Sequence, residues 1–260
     1  MGVARVDVER SGPVASLWLE RVEVRNAFDG AMVRVLREAL LQVSDRDDVR
    51  VVVIGGRGPC FCAGADLEWM RTAAGFTHEE NLADARALAD LFLAFDGCPK
   101  PVVARVHGAA LGGGAGLVAT ADVAVAAAGT QFGFTEVRLG LVPSVIAPYV
   151  LRRIGEAAAR ELFLTGERFD AERARTIGLV QAVVHEKDLD AAVEERLHAL
   201  LQGAPGAISA AKRLIRDVAG RAVEDVRGLT VERIAERRSS AEGREGMAAF
   251  LERRGASWKP

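Results

Sequence analysis

Glycine is concentrated where an apolar helical pattern begins, since four of the five residues from Gly112 to Gly116 are glycine. A phosphate-binding loop would need a Lys-Ser or Lys-Thr pair behind such glycines, and a dinucleotide fingerprint would need a third glycine where Leu117 stands. Two interpretations remain. The stretch is a tight strand-to-helix turn with close packing, or it is a helix N-terminus whose bare N–H groups face a ligand oxygen. The second interpretation suits chemistry in which an oxyanion develops.

A second stretch of small residues lies upstream, in FCAGADL from Phe61 to Leu67. It follows the apolar run VRVVVIGG and precedes a helix-like segment that Asp66 is placed to cap. Two strand-to-helix turns side by side can present two backbone N–H groups to one oxygen. The pair of turns therefore predicts an oxyanion hole.

Gly116 needs its own explanation, because it falls in the first turn of the helix. Glycine there costs about 1 kcal/mol relative to alanine. One interpretation is close packing between helices; the other is that a side chain was given up to make room for a water or a polar acyl group. His107 stands beside the glycines, and we interpret it as a turn residue rather than a catalytic one.

The three cysteines do not form a recognisable metal site. Cys60 and Cys62 give only C-x-C, and a zinc site needs a second ligand pair that Cys98 and scattered histidines do not supply. We expect small core residues here and no metal.

The segments that must position these turns alternate between strand and helix patterns, which predicts an α/β core. Strands are predicted at 3–10, 14–20, 49–56, 101–108 and 122–128, the first two as a hairpin, and helices at 31–45 and 80–96. After about residue 185 four helical stretches follow, at 188–202, 206–220, 223–238 and 242–254. We therefore expect an α/β core with the substrate site over residues 1–190 and a helical region for oligomerisation over 191–260.

Composition narrows the class of protein. Lys plus Arg is 34 and Asp plus Glu is 36, a net charge of −2 that argues against nucleic-acid binding. The longest uncharged stretch, sixteen residues between Arg105 and Asp122, is short of the roughly 20 apolar residues of a membrane helix. An odd number of cysteines suggests a reducing compartment, and the acidic start MGVARVDVERSG lacks the apolar core of a signal peptide. We expect a cytoplasmic protein with no membrane partner.

Five motifs stand in the order and spacing of a known family: FCAGADL, HGAALGGGAGL, TQFGFTEVRLGLVP, LTGERFDAERARTIGLVQAVV and APGAISAAKRLI. Over nearly its whole length the chain resembles the crotonase family, also called the enoyl-CoA hydratase/isomerase family. The resemblance implies a spiral of ββα units followed by helices that build a homotrimer or homohexamer. It also implies an acyl-CoA thioester as substrate, reacting through a stabilised enolate with no separate cofactor.

The family pattern implies roles for particular residues. The oxyanion donors would be the N–H groups of Ala65 and Gly113, and Glu136 would be the catalytic acid and base. Apolar neighbours of Glu136 should raise its pKa. Hydratases of the family usually carry a further glutamate three residues after the oxyanion glycine. Gly116 stands at that position, which puts the two-carboxylate mechanism in doubt.

Further residues are implied in substrate binding. Pro143 and the loop Ser144-Val145-Ile146-Ala147 would line the acyl pocket, and Phe250 and Arg253 would reach coenzyme A across a subunit boundary. The remaining substrate-binding residues implied by the pattern are Arg25, Ala27, Ala63, Asp66, Leu67, Gly112 and Gly116.

The resemblance implies an enoyl-CoA hydratase that adds water to a 2-enoyl-CoA. The stretches CAGADLEWM and EVRLGLVPSVIAPYVLRRIG look most like a branch of the 3-methylglutaconyl-CoA hydratase type, acting on branched or carboxylated acyl groups. Two alternatives stay open. A single glutamate suffices for a Δ3,Δ2-enoyl-CoA isomerase, and Gly116 also fits a non-catalytic acyl-CoA binding subunit.

Overall fold

The fold is seen in a computed structural model, which describes residues 5–259. Nine strands occur in this range: β1 Val6–Ser11, β2 Val14–Leu19, β3 Val51–Gly56, β4 Val102–Val106, β5 Ala109–Leu111, β6 Val123–Ala127, β7 Gln131–Gly133, β8 Arg168–Asp170 and β9 Ala182–Val184. Six of them form one sheet in the order β1-β2-β3-β4-β6-β9, in which only the β1–β2 hairpin is antiparallel. The other three form a small sheet, β5-β7-β8.

Ten α-helices connect and cover the strands in the described range: α1 Gly30–Ser44, α2 Leu67–Ala73, α3 His78–Gly97, α4 Gly113–Thr120, α5 Ala147–Thr165, α6 Ala171–Thr176, α7 Leu189–Leu201, α8 Pro205–Val218, α9 Val223–Ser239 and α10 Ala241–Leu251. α5 is interrupted at Gly155, whose φ of 76° is not helical. No helix between residues 5 and 259 is both long enough and apolar enough to cross a membrane.

The core lies on both faces of the large sheet. Every residue of β3 is buried, because helices cover that strand from two sides. One face carries the larger cluster, to which α1, α3, α4 and α5 contribute apolar side chains. The opposite face packs against α7 through Leu189, Val193 and Leu197. α3 and α4, which lie next to the two predicted turns, are therefore anchored in the larger cluster.

The predicted α/β fold is confirmed, including the hairpin, the four helices after residue 185 and the strands around the glycine-rich turn. The small sheet was not predicted, since strands of three residues leave no alternating pattern. The boundary between 190 and 191 stays a prediction; α7 spans it and packs on the core sheet. Residues 1–4 and Pro260 lie outside the described residues. Residues 1–4 include part of the first predicted strand and part of the region where we expect no signal peptide.

Candidate active site

The two predicted turns are held side by side by backbone hydrogen bonds. The Cys62 N–H donates to the Ala109 carbonyl at 2.9 Å, and the Leu111 N–H donates to the Cys62 carbonyl at 3.0 Å. Cys62 and Ala110 are thereby paired as a parallel bridge. Ala65 and Gly113 each lie three residues beyond this bridge. Their relative position follows from main-chain pairing.

The amides of Ala65 and Gly113 are both left without an acceptor. On either side of Ala65, the Phe28 N–H donates to the Gly64 carbonyl at 2.7 Å and the Asp66 N–H donates to the Phe28 carbonyl at 2.8 Å. Gly113 is the first residue of α4, where an N–H has no partner inside the helix. Neither amide meets a backbone or side-chain acceptor within residues 5–259. Both residues line one cavity, so two donors are available to one ligand oxygen.

Close packing explains the neighbouring glycines. Gly112, at the N-cap of α4, has a φ of 50°, which favours glycine. A Cβ on Gly114 would lie 2.8 Å from the Cβ of Cys62, and one on Gly113 would lie 3.1 Å from the ring of Phe28. The turn therefore combines both interpretations of the glycine-rich stretch: close packing behind it and free N–H groups in front.

Gly116 does not provide room for a substrate, and that prediction is wrong. A Cβ at Gly116 would lie 2.3 Å from Cγ2 of Ile146 and 3.0 Å from Cε1 of Phe92. Gly116 is buried and is not among the residues lining the cavity, whereas Ile146 is. The space in front of Gly116 is filled by the Ile146 side chain. Close packing, the other interpretation, is correct.

Glu136 lines the same cavity as the two free amides. It begins a short 3₁₀ helix, Glu136–Leu139, and its Oε1 is 3.1 Å from where a Cβ on Gly112 would be. Its Oε2 is buried and meets no hydrogen-bond partner among the residues that the structure describes. Burial raises the pKa of Glu136, and a hydrogen bond from its own backbone N–H partly opposes the rise. The predicted direction is confirmed, and the carboxyl group is suited to exchanging a proton with a ligand.

The cavity has a volume of about 220 Å³ and is mostly apolar. Pro143 and the loop from Ser144 to Ile146 line it, as predicted, whereas Ala147 does not. Sequence reasoning missed the other lining residues, because they come from separate helices and loops that only the fold brings together. These residues are Phe28, Asp29, Gly30, Val33, Gly64, Trp69, Met70, Asp84, Ala87, Leu88, Thr135, Leu139, Leu141 and Val142.

A second, wider cavity of about 920 Å³ adjoins the first, and Ala65 lines both. The structure brings together here most of the residues predicted to hold coenzyme A, namely Arg25, Ala27, Ala63, Asp66 and Leu67. A thioester at Ala65 would therefore have its acyl chain in the smaller cavity and its coenzyme A portion in the wider one.

Asp66 lines the wider cavity and also bonds to the chain itself. Its Oδ1 accepts from the N–H groups of Glu68 and Trp69 at 2.8 and 2.9 Å, which caps α2, and its Oδ2 accepts from Arg21 at 3.1 Å. Burial alone would raise the pKa of Asp66, but these hydrogen bonds outweigh burial and hold the pKa below its ordinary value. Its predicted capping role is confirmed. Its predicted substrate-binding role stays a prediction, since Asp66 lines the wider cavity while both of its carboxylate oxygens bond within the chain.

The loop before α1 is fixed by groups that the sequence analysis did not single out. Arg25 and Asn26 both have a positive φ, of 55° and 57°. The Asn26 side chain accepts from the Arg21 N–H at 2.9 Å and donates to the carbonyls of Arg57 and Cys60. These bonds tie the loop to the turn that carries Ala65.

Two of the predicted ligand residues lie elsewhere. Phe250 and Arg253, at the end of α10, line neither cavity within the single chain, and Phe250 is 83% exposed. His107 is buried with Nε2 placed to donate to the Gly58 carbonyl at 2.8 Å, in keeping with a structural role.

The three cysteines are free and buried, as expected for core residues. Within residues 5–259 no three His, Cys, Asp or Glu side chains are grouped so as to hold a metal ion.

Comparison with known proteins identifies the family. The model of the Enoyl-CoA hydratase/isomerase family matches residues 9–260. The chain belongs to this family. Its fold is similar to that of an enoyl-CoA hydratase from Shewanella pealeana, with a TM-score of 0.95, 38% identity and coverage of 98% of this chain and 96% of the other. An enoyl-CoA hydratase from Mycobacterium smegmatis gives a TM-score of 0.92 and 33% identity, covering 97% and 98% of the two chains. A carnitinyl-CoA dehydratase of Salmonella typhi is 33% identical over 256 residues, 96% of each chain.

Proposed function

We propose that this member of the enoyl-CoA hydratase/isomerase family is a hydratase that adds water to a 2-enoyl-CoA thioester. The observation that carries the proposal is the pair of acceptor-free amides, Ala65 and Gly113, on a cavity that the buried carboxyl of Glu136 also lines. Relatives named as hydratases and a dehydratase support the same reaction class.

The reaction follows from the placement of these groups. The thioester oxygen accepts from both amides, and the positive end of the α4 dipole adds to the stabilisation of charge on that oxygen. Glu136 as carboxylate removes a proton from water, whose oxygen attacks the β-carbon. The electron pair of the double bond moves into the enolate, and the protonated Glu136 then returns a proton to the α-carbon. One carboxyl group thus serves as base and acid in turn, and the product is a 3-hydroxyacyl-CoA.

A second candidate is a Δ3,Δ2-enoyl-CoA isomerase. The observation in its favour is that Ile146 fills the space at Gly116, so the position of the usual first glutamate offers no second carboxyl group. Moving one proton between two carbons needs one carboxyl group. A non-catalytic acyl-CoA binding subunit would need neither Glu136 nor its raised pKa, and the buried carboxyl argues against it.

Of the two finer assignments, a branched acyl group fits the mostly apolar lining, including Val142, Val145 and Ile146, as a linear one would. A carboxylated acyl group, as in the 3-methylglutaconyl type, has less support, because no cationic side chain within residues 5–259 lines the acyl cavity. Coenzyme A is proposed as part of the substrate, and no separate cofactor is proposed.

The proposal is tested by replacing Glu136. Wild-type protein is incubated with linear and branched 2-enoyl-CoAs, with 3-methylglutaconyl-CoA and with 3-enoyl-CoAs, and products are followed by loss of enoyl absorbance and by the mass of added water. Glu136→Gln should lower kcat on the best 2-enoyl-CoA at least ~100-fold, since a positioned acid or base typically contributes that much. Glu167→Gln, at an exposed position, is the control and should behave like wild type.

Two outcomes would contradict the proposal. Near-normal hydration by Glu136→Gln would show that Glu136 is not the proton-transfer group. Efficient isomerisation of 3-enoyl-CoA with no hydration of any 2-enoyl-CoA would replace the hydratase by the isomerase.

A further inference from the structure

The acyl cavity carries an uneven distribution of charge. Its ionisable lining side chains are Asp29, Asp84 and Glu136, all of them acids, and the part of the chain that the structure describes contributes no Lys, Arg or His to the lining. In an apolar cavity, a charged ligand group loses hydration and needs an opposite charge to compensate. The lining therefore bears directly on which acyl groups the cavity accepts.

The three acids differ in how their charge is balanced. Asp29 faces Arg21 Nη1 at 3.1 Å and accepts from the Met32 N–H at 2.7 Å. Burial raises the pKa of Glu136, and its Oε2 has no hydrogen-bond partner among the described residues. Asp84 accepts one hydrogen bond, from the indole Nε1 of Trp69 at 3.3 Å, and has no ion pair within residues 5–259. Asp84 therefore lines the cavity with a charge that no ion pair within residues 5–259 balances.

Asp84 lies on α3 two turns before Phe92, the residue of that helix that packs near Gly113. Asp84, Ala87 and Leu88 line the cavity from α3, and Phe92 follows one turn later on the same helix. The Phe92 ring is 3.9 Å from where a Cβ on Gly113 would be. Eight residues separate Asp84 from Phe92, which is roughly 12 Å along a helix axis. An acyl chain that starts at Gly113 and follows α3 therefore carries its tail towards Asp84.

One cation lies near this end of the cavity but outside it. The Arg34 side chain is exposed, and a Cβ on Gly30 would lie 3.7 Å from its Nη1 and 3.9 Å from Asp84 Oδ1. Arg34 is not among the lining residues. A carboxylate at the tail of an acyl chain would thus meet Asp84, which lines the cavity, before Arg34, which does not.

We infer that Asp84 is a specificity-determining residue, which makes the cavity select acyl groups with an uncharged tail and reject those that end in a carboxylate. The inference rests on the proposed function, because it concerns the acyl chain of the thioester. It goes beyond that function by naming the class of acyl group and the residue that selects it.

The test measures binding rather than turnover, so that it does not depend on the reaction. Dissociation constants are measured by calorimetry for octanoyl-CoA and octanedioyl-CoA, which differ only in the terminal carboxylate. Wild type should bind octanoyl-CoA at least ~30-fold more tightly. Asp84→Asn keeps the shape and an acceptor for Trp69, and should reduce that ratio at least ~10-fold by improving octanedioyl-CoA binding. Asp90→Asn, an exposed position on the same helix, should leave the ratio unchanged.

The outcomes separate the inference from the proposed function. Equal binding of the two thioesters by wild type, or an unchanged ratio in a normally folded Asp84→Asn variant, would overturn the inference. Tighter binding of octanedioyl-CoA that is lost in Arg34→Ala would also overturn the inference. It would show that Arg34 binds the terminal carboxylate. Failure to hydrate any 2-enoyl-CoA, with the binding ratios as expected, would remove the proposed function and leave the inference standing.

Discussion

Gly116→Ala should destabilise the protein, although alanine is the better helix former. In an open helix interior the substitution gains about 1 kcal/mol. At Gly116 the new Cβ would lie 2.3 Å from Cγ2 of Ile146, more than 1 Å inside ordinary carbon contact of roughly 3.5–4.0 Å. Overpacking of a buried site typically costs about 1–3 kcal/mol, and a clash this close belongs at the upper end. We expect a net loss of about 1–2 kcal/mol in the free energy of unfolding.

Urea unfolding followed by circular dichroism measures this loss. With an m-value of about 3 kcal/mol/M, the midpoint should fall by roughly 0.5 M. Gly228→Ala is the matched control, because Gly228 lies inside α9 with nothing within 4 Å of the new Cβ. It should raise the midpoint. Stabilisation by Gly116→Ala as large as that of Gly228→Ala would refute the packing explanation.

A double-mutant cycle identifies the neighbour responsible. Ile146→Ala removes the side chain that fills the space, and Gly116→Ala in that background should cost at least ~1 kcal/mol less than in wild type. The same two positions allow the missing carboxyl group to be introduced. Gly116→Glu alone should unfold the protein or displace the Ile146 side chain. Gly116→Glu combined with Ile146→Ala provides the space for the new side chain. Faster hydration of linear 2-enoyl-CoAs by the double variant would indicate that a second carboxyl group is the missing catalytic part.

Two further predictions concern pH and assembly. Because burial raises the folded-state pKa of Glu136, its contribution to stability is present below the unfolded pKa and lost as pH rises through the folded one. Glu136→Gln should therefore melt at a higher temperature than wild type at about pH 8, with no difference near pH 4, by calorimetry; an equal difference at both would contradict the assignment. The exposed side chains of Met247, Phe250 and Leu251 at the end of α10 favour a subunit contact, and the family resemblance implies a trimer or hexamer. Light scattering at micromolar concentration should give that mass, and a monomer would disprove it.

Features set by neighbouring residues were predictable from the sequence. The hairpin of β1 and β2 follows from two alternating runs joined by a short turn. The capping of α2 by Asp66 follows from residue type and position alone. The raised pKa of Glu136 follows from its apolar neighbours. Each of these depends on chemistry within a few residues of the chain.

Features set by distant residues were not predictable. Ile146 is thirty residues beyond Gly116, so nothing local indicates that its side chain fills the space. Arg21 pairs with Asp66 across 45 residues, and nothing local in the sequence indicates that contact. Asp84 lies on a helix whose pattern shows only amphipathicity, and its place in the acyl cavity depends on how α3 packs.

The bridge between Cys62 and Ala110 has a consequence for how such a protein can change over time. The N–H groups of Ala65 and Gly113 are each three residues beyond a main-chain pairing, so the backbone alone sets the distance between them. Most side chains around the site can be exchanged without altering that distance, because the pairing uses only N–H and C=O groups. Acyl preference and proton-transfer groups can therefore diverge independently of the charge-stabilising pair. A lineage built on this bridge can explore new thioester substrates while keeping one unaltered means of holding the enolate.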